Sequence, residues 1–412
     1  MADKSSQVDI LTSIDTPLGG DDIRKVGAGL DVKHIRDDVW YFTDGTVVFL
    51  VEDKLFRVHG AIFARDSELF QALLSLPQGD AQRDEIGGHS DDNPIVCAGD
   101  SIEEFRALCW ALYARPSDIL LQQDYNTVDV PKLIKIVAIS HKYDFAAYQD
   151  WALGVLGAHC SAYPTSFFAK CGTWSNVCTI FRLASQCNQN ALVQEMEQSW
   201  LRRTSNASKS EGLTAFGYAL DVAETSDSFR QFHGKLYYTY LQTTVMFCVR
   251  FQEGVESTGI LDTASHIDTS LSKFSEERRY RILSGFWSLS RLWRKLSQPP
   301  KLENSHPPCT GNHTRDCVPK WQAWWKDALD EAMGQGRCEN DPGKLIQAMQ
   351  TRVRAEPLQL ACASLVEKQI GLMKERFDDT LADHFLIPKQ SSDSKTTADS
   401  SSNSELPRLS LI

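Results

Sequence analysis

The spacing of hydrophobic residues divides the chain into two blocks. The first block has patterns typical of both strands and helices, and the second has mostly helical patterns. Residues 46–51 form a β-branched and aromatic run typical of a strand, and residues 52–54 predict a turn. Residues 55–58 return as the second strand of a hairpin, and residues 94–97 predict a short third strand. The first block therefore contains a small sheet.

Helix signals accompany these strands in the first block. Ser67 is a predicted N-cap, and Ser101 with Glu104 forms a capping box in front of a helix with one apolar face. Asp129 caps a further helix, and Pro131 lies in its first turn, where a missing N–H costs nothing. The order of strands and helices predicts the α+β class, with a short mixed sheet flanked by helices.

Amphipathic helical patterns dominate the second block, residues 163–388. The predicted helices cover residues 190–203, 213–224, 276–295, 321–333 and 358–383. Residues 232–251 are ambiguous, because a strand-like composition at residues 236–241 competes with a length that favours a helix. We predict that this block is mostly α-helical.

The predicted organisation has four parts. Residues 1–36 form a polar, mobile N-terminal arm, and residues 37–160 form the α+β domain. The helical region follows at residues 163–388. Residues 389–412 contain eight Ser and two Thr, and such a tail buries too little apolar surface to offset its ordering entropy. We expect the tail to be disordered and open to phosphorylation.

Composition and charge narrow the function classes. Of 412 residues, 54 are acidic and 43 basic, and the net charge of −11 argues against a bulk electrostatic grip on nucleic acid. The sequence has no apolar run long enough for a bilayer and no secretory signal at its start, so no membrane partner is expected. The eleven cysteines are scattered, which favours reduced thiols in the cytoplasm or nucleus.

Sequence motifs for metal binding and for catalysis are incomplete or missing. His306, Cys309, His313 and Cys317 offer two imidazoles and two thiolates for zinc, but a tight Cys-x2-Cys knuckle is missing, and no metal is predicted. Phosphate-binding, dinucleotide-binding and hydrolase motifs are also missing from the sequence. We predict no catalytic residue, no cofactor and no small-molecule ligand, although catalytic groups can converge from distant positions.

Two aromatic and basic segments of the second block have two interpretations each. The predicted helix at residues 276–295 carries six basic residues around an apolar face. It either lies on a membrane or nucleic acid, or packs in the core. In the second interpretation, which is favoured, the aliphatic parts of its basic side chains cover the edges of the apolar face. The tryptophans Trp321, Trp324 and Trp325 either form core or a binding platform, and core is favoured.

Residues 44–76 resemble a BTB/POZ domain, and the chain is similar to the large set of BTB proteins of mushroom-forming fungi. The positions that match the signature of the family are Asp44, Phe56, His59, Ile62, Ser67, Phe70 and Leu73. Residues 105–113 resemble the third long helix of the family, and residues 133–145 resemble its closing helices. The resemblance extends loosely to a short helix at residues 181–187.

The resemblance implies a protein-interaction module and not a catalyst. BTB domains self-associate, and many bind cullin scaffolds of ubiquitin ligases or transcriptional co-regulators. Three functions therefore stay open: an adaptor or scaffold, a substrate receptor of a cullin-type ubiquitin ligase, and a diverged enzyme in the helical region. Protein partners are expected, including a second copy or a cullin.

Two signature residues have alternative roles. His59 is expected to be buried and hydrogen-bonded to backbone, with a ligand or acid–base role as the alternative. Asp44 is expected to cap or close the turn before the first strand of the hairpin. Transcription-factor members of the family carry a basic residue after the signature His, whereas this chain has Gly60, so their charged pocket is not expected here.

Overall fold

A computed structural model of the chain divides into two compact units, Met1–Val193 and Gln194–Ile412. The residues that the structure describes are 34–75, 87–205, 210–245, 271–300, 313–334, 341–355 and 363–387. The first unit is α+β, and the described part of the second unit is helical. The predicted tail at residues 389–412 lies outside the described residues.

The hairpin predicted from the hydrophobic pattern is confirmed. β2 (Val47–Val51) and β3 (Lys54–Val58) pair antiparallel, with Phe49 opposite Phe56. Glu52 adopts a left-handed φ of 53° in the turn between them. The third predicted strand is also confirmed but is only two residues long: β4 (Ile95–Val96) pairs parallel with β2.

A strand that the sequence did not predict completes the sheet. β1 (Ile35–Tyr41) pairs parallel with β3, so the strand order is β1-β3-β2-β4. The predicted arm at residues 1–36 overlaps this strand at Ile35 and Arg36, and its residues 1–33 lie outside the described residues. Three consecutive charged residues at positions 36–38 interrupt the apolar residues of β1, so the sequence shows neither an apolar run nor a strict alternation there, and the strand is held in the sheet by its pairing with β3.

The described part of the first unit also contains helices. They are α1 (Gly60–Asp66), α2 (Glu68–Leu74), α3 (Ile102–Tyr113), α4 (Pro116–Leu121), α5 (Val130–Lys142), α6 (Ala146–Ala162), α7 (Pro164–Lys170) and α8 (Trp174–Gln186). The predicted caps are confirmed: the Ser67 hydroxyl accepts the amide hydrogen of Phe70, and Ser101 and Glu104 form a reciprocal capping box. The Asp129 carboxylate accepts an amide hydrogen in the first turn of α5 at 3.1 Å.

An aromatic cluster packs strands β2 and β3 against helices α1, α2 and α3. Its buried phenylalanines are Phe49, Phe56, Phe63, Phe70, Phe105 and Phe145. The ring centroid of Phe105, on α3, lies 4.8 Å from that of Phe56 and 5.4 Å from that of Phe49. Aromatic rings at such distances gain interaction energy beyond their buried area. The core therefore ties both hairpin strands to α3.

The first unit extends beyond the predicted end of the α+β domain. Its boundary follows Val193, whereas the predicted domain covers residues 37–160. Helix α8 packs against α5, and its residues Ile180, Phe181 and Ala184 are completely buried. The sequence favoured an earlier boundary because the hydrophobic pattern does not show which earlier helix α8 contacts.

Helices also form the described part of the second unit. They are α9 (Asn190–Thr204), whose first four residues belong to the first unit, α10 (Ser210–Ala223), α11 (Arg230–Tyr240), α12 (Glu276–Leu296), α13 (Val318–Gly334), α14 (Pro342–Ala355) and α15 (Ala363–Thr380). The five predicted helices are confirmed, with ends shifted by a few residues. Helix α14 was not predicted. The ambiguous segment 232–251 is helical as far as residue 245, and its remainder lies outside the described residues.

The tryptophans of α13 belong mainly to the core of the second unit. Trp321 and Trp325 are each 1% exposed, and their indole N–H groups donate to the carbonyl oxygens of Pro300 and Leu296. Trp324 stacks on Trp321, with ring centroids 5.6 Å apart. The favoured interpretation of this cluster as core is therefore confirmed.

Two further observations concern the cysteines and the lengths of the helices. Seven cysteines lie in the described part of the chain, none of them in a disulfide, and six of the seven are buried. Among the described helices, none is long and apolar enough to cross a membrane.

Candidate interaction surfaces of the first unit

Most of the seven signature positions have a structural role. Phe56 and Phe70 are buried in the aromatic cluster, and Ile62 and Leu73 pack against it. Ser67 caps α2, and its hydroxyl donates a hydrogen bond of 2.7 Å to the carbonyl oxygen of Tyr143, which lies 76 residues later in the sequence. These five residues therefore hold the unit together and do not form a site.

Asp44, which precedes β2, and His59, which follows β3, lie together at the open end of the hairpin. The Nε2 atom of His59 lies 3.4 Å from a carboxylate oxygen of Asp44, and its Nδ1 atom lies 2.9 Å from the Tyr113 hydroxyl. The ring also lies 5.2 Å from that of Phe42. The hydrogen bond from His59 lowers the pKa of the Asp44 carboxyl below its ordinary value.

This geometry corrects the expectation for His59 and adds to the one for Asp44. The His59 ring is half-buried and bonds to side chains, not to backbone as predicted, because α3 brings the Tyr113 hydroxyl to it. Asp44 does lie in a turn, in which the Gly45 amide donates to the Phe42 carbonyl. Its exposed carboxylate, however, pairs with His59, a contact that closes the hairpin.

Tyr113→Phe is expected to destabilise the first unit by about 1 kcal/mol, because the Tyr113 oxygen accepts the backbone N–H of His59 at 3.0 Å and the variant leaves that donor without its partner. Urea unfolding measures the change. Tyr148→Phe is the matched control, because its hydroxyl makes a longer contact of 3.4 Å to Asp66. An equal or larger loss in the control would contradict this role of Tyr113.

A buried ion pair in the first unit escaped the sequence prediction. The Asp37 side chain is completely buried; it accepts the amide hydrogens of Trp40 and Val39 at 3.0 and 3.1 Å and pairs with Arg106 at 2.8 Å. Burial alone would raise the pKa of Asp37, but these hydrogen bonds outweigh burial and lower it. No local pattern connects residues 69 positions apart, so this pair has no sequence signal.

Exposed apolar side chains gather near α4. Leu120 and Leu121 are 61% and 50% exposed, and Tyr163, at the end of α6, is 44% exposed. The loop after α4 lies on the end of α6, because His159 hydrogen-bonds to the Gln122 carbonyl oxygen at 3.0 Å and the ring centroid of Tyr125 is 4.1 Å from that of Tyr163. Leu120, Leu121 and Tyr163 form the α4 patch.

Polar groups surround the α4 patch. Arg115, Asp124, Asn126 and Thr127 are exposed on the segments that flank it. The Lys170 ammonium lies 3.9 Å from the ring centroid of Tyr125, which fixes the loop against α7. An apolar centre with a polar rim is the arrangement found in protein–protein interfaces. Sequence reasoning missed this patch because the leucines of α4 resemble the core leucines of its neighbours.

Other exposed apolar residues of the first unit are scattered. Ile35 and Val39 lie on β1, Val96 on β4 and Leu69 on α2. Apolar residues scattered singly over a surface are ordinary and need no function. The α4 patch differs from these scattered residues because its three exposed apolar side chains lie on neighbouring segments.

The described residues contain no cluster of three or more His, Cys, Asp or Glu side chains that could hold a metal ion. Of the zinc candidates, only the side chain of Cys317 is described, and it is buried. A gap between α12, α13, α14 and α15 of the second unit is too small to hold a water molecule and is lined by apolar side chains. Such a lining supplies no acid, base or nucleophile.

No protein family, curated protein or solved structure matches this chain.

Proposed function

We propose that this chain is a protein-interaction adaptor whose first unit is a BTB/POZ-type docking module. The α4 patch is the observation that carries the proposal. The short mixed sheet with flanking helices and the core positions of Phe56, Phe70 and Ser67 support the resemblance to that family. The proposed place of action is the cytoplasm or nucleus.

The mechanism is burial of the α4 patch by a partner protein. Leu120, Leu121 and Tyr163 lose contact with water on binding, and the polar rim sets orientation and excludes wrong partners. A stable complex needs about 800 Å² on each side, so the patch is the centre of a larger contact. Tyrosine is among the residues that contribute most at such centres.

A cullin-type ubiquitin ligase is the second candidate partner. The α4 patch lies on the helices that follow β4, the last strand of the sheet, and the resemblance places cullin contacts on the helices after the third strand. In this version the helical second unit chooses the substrate. Recovery of a cullin through the α4 patch separates the receptor from the general adaptor.

The double variant Leu120→Asp with Leu121→Asp is expected to reduce partner recovery at least about tenfold in affinity purification of the full chain, because two carboxylates would be buried at the contact. Circular dichroism should show an unchanged fold, since both leucines are exposed. Leu69→Asp is the matched control, because Leu69 is exposed on α2 of the same unit.

The control must retain the partners of the wild-type chain. Equal recovery with wild type and the double variant would exclude the α4 patch as the docking site. Loss with Leu69→Asp but not with the double variant would move the site to α2. If a cullin is among the partners that the double variant loses, the receptor function is favoured; if repeated purifications recover other proteins but no cullin, the general adaptor is favoured.

A further inference from the structure

Helix α12 has one face in the core of the second unit. Ile282 and Leu289 are buried, and Gly285 lies so close to Phe385 that a Cβ atom there would be 2.1 Å from the phenylalanine ring. Only glycine allows this approach. The favoured interpretation of residues 276–295 as a core-packed helix is therefore confirmed for this face.

Two arginines on this side of α12 are paired. Arg278 makes ion pairs with Glu224 at 2.6 Å and with Asp221 at 2.7 Å. Arg281 makes ion pairs with Glu277 at 2.5 Å and with Glu224 at 3.3 Å. Carboxylates of the same unit neutralise the charges of these two arginines, so the two side chains do not attract an external partner.

The opposite face of α12 is apolar and exposed. Tyr280, Leu283 and Trp287 are 74%, 54% and 62% exposed. They lie three and four residues apart, which places them on one stripe of the helix. Isolated exposed apolar residues are common, but three in one stripe that include Trp and Tyr mark a contact surface.

Opposite charges flank this stripe. Glu276 and Glu277 lie exposed at the start of the helix; Glu277 pairs with Arg281, and Glu276 lies 4.0 Å from Arg279. Arg291 and Arg294 lie exposed near its end. Within the described part of the chain, neither Arg291 nor Arg294 is within ion-pair distance of a carboxylate. The outward face therefore has an acidic beginning, an apolar middle and a basic end.

We infer that a second copy of this chain docks on this face, with its own α12 antiparallel to the first. Turning one copy end for end about an axis between Leu283 and Ser284 brings Tyr280 opposite Trp287 of the second copy. The same operation brings Glu276 opposite Arg291 of the second copy, because both pairs are symmetric about that midpoint. One face is thus complementary to itself, as a two-fold interface requires.

The size of the face sets the strength of the pairing. A helix of 21 residues is about 32 Å long and offers less than the roughly 800 Å² per partner of a standard interface. We therefore expect a dissociation constant of about 10 μM, a dimer that forms and separates with concentration. A second copy fits better than an anionic membrane, because Glu276 and Glu277 would face the lipid phosphates.

Sedimentation equilibrium of the full chain is expected to show this monomer–dimer equilibrium. Trp287→Ala should raise the dissociation constant at least about tenfold, because it removes the largest apolar contact of the face. Leu372→Ala is the matched control, since Leu372 is exposed on α15 of the same unit, and it should change nothing. A chain that stays monomeric at all concentrations overturns the inference, and vesicle binding without dimerisation would identify a lipid surface instead.

Charge reversal tests the antiparallel orientation. Glu276→Arg and Arg291→Glu should each weaken self-association at least about tenfold, since each creates two like-charge contacts in the dimer. An equimolar mixture of the two variants should associate as the wild type does, because opposite charges then meet at both ends. Single variants that dimerise like the wild type would overturn the inference, as a parallel pair predicts that result.

The first unit provides the remaining control. The variant Leu120→Asp with Leu121→Asp, which tests the proposed function, should leave the α12 dimer unchanged. If that variant abolishes self-association while the α12 variants do not, the contact belongs to the first unit and the inference about α12 is wrong. The α4 variants therefore test the proposed function, and the α12 variants test self-association independently of it.

Discussion

Replacing Phe105 by alanine is expected to destabilise the first unit by about 3–5 kcal/mol, the largest effect of any single substitution considered for this unit. The ring is completely buried, and its centroid lies within 6.1 Å of those of Phe49, Phe56 and Phe63. Alanine would leave a cavity among rigid rings that belong to strands and helices and cannot collapse into it. Chemical denaturation followed by far-UV circular dichroism measures the loss.

Two controls identify the cause of this loss. Phe105→Leu keeps most of the volume and should cost less than half as much. Leu120→Ala removes a side chain of similar apolar character from an exposed position and should change the stability by less than about 0.5 kcal/mol. A loss below about 1 kcal/mol for Phe105→Ala would show that the aromatic cluster is not the centre of the core.

The elements that the sequence predicted are those with local signals. The hairpin of β2 and β3 is apparent because an apolar run, a turn and a second run lie within 13 residues. The capping box of Ser101 and Glu104 is apparent because both partners lie in one helical turn. In each case the residues that define the element are neighbours in sequence, so no tertiary contact is needed to find it.

The features that the sequence did not predict depend on distant partners. Three consecutive charged residues interrupt β1, and the strand pairs with β3 and not with β2, the next strand in sequence. Asp37 meets Arg106 only after α3 has packed on the sheet. The assignment of α8 to the first unit depends on its contact with α5. Each of these contacts joins residues that are distant in sequence and forms only in the folded chain. Periodicity and composition therefore do not predict such contacts.

The candidate surfaces show the same division. Phe56, Phe70 and Ser67 were recognised from their spacing, and the structure gives them core and capping roles. The α4 patch was missed, because hydrophobicity alone does not distinguish an exposed leucine from a buried one. For α12 the sequence offered a core helix or a binding helix as alternatives, and the structure shows a buried face with an exposed apolar face opposite.

The second unit is expected to lose about 3 kcal/mol of stability between about pH 7 and about pH 4 through one side chain, His233. Burial lowers the pKa of His233 from 6.5 to about 4 against the attraction of Glu224. Arg278 and Arg281 on α12 and Arg230 on α11 also face the ring and disfavour a positive charge there. The Nε2 atom of His233 is buried and has no hydrogen-bond partner.

The direction follows from proton binding. Below pH 6.5 the unfolded chain protonates this histidine while the folded unit does not, so each step toward lower pH favours unfolding until the folded pKa near 4 is reached. Above the unfolded pKa the contribution of His233 is constant. Glu224, whose pKa is lowered mainly by Arg278 against the effect of burial, destabilises the unit in the same direction as it protonates.

His233→Gln separates the two contributions, because glutamine stays neutral at every pH and leaves Glu224 with both arginine partners. Between about pH 7 and about pH 4 the unfolding free energy of the wild type should fall by about 3 kcal/mol more than that of the variant. Parallel curves would mean that His233 is protonated in the folded unit. In that case the packing of α11 near Arg278 and Arg281 would not depend on a neutral His233.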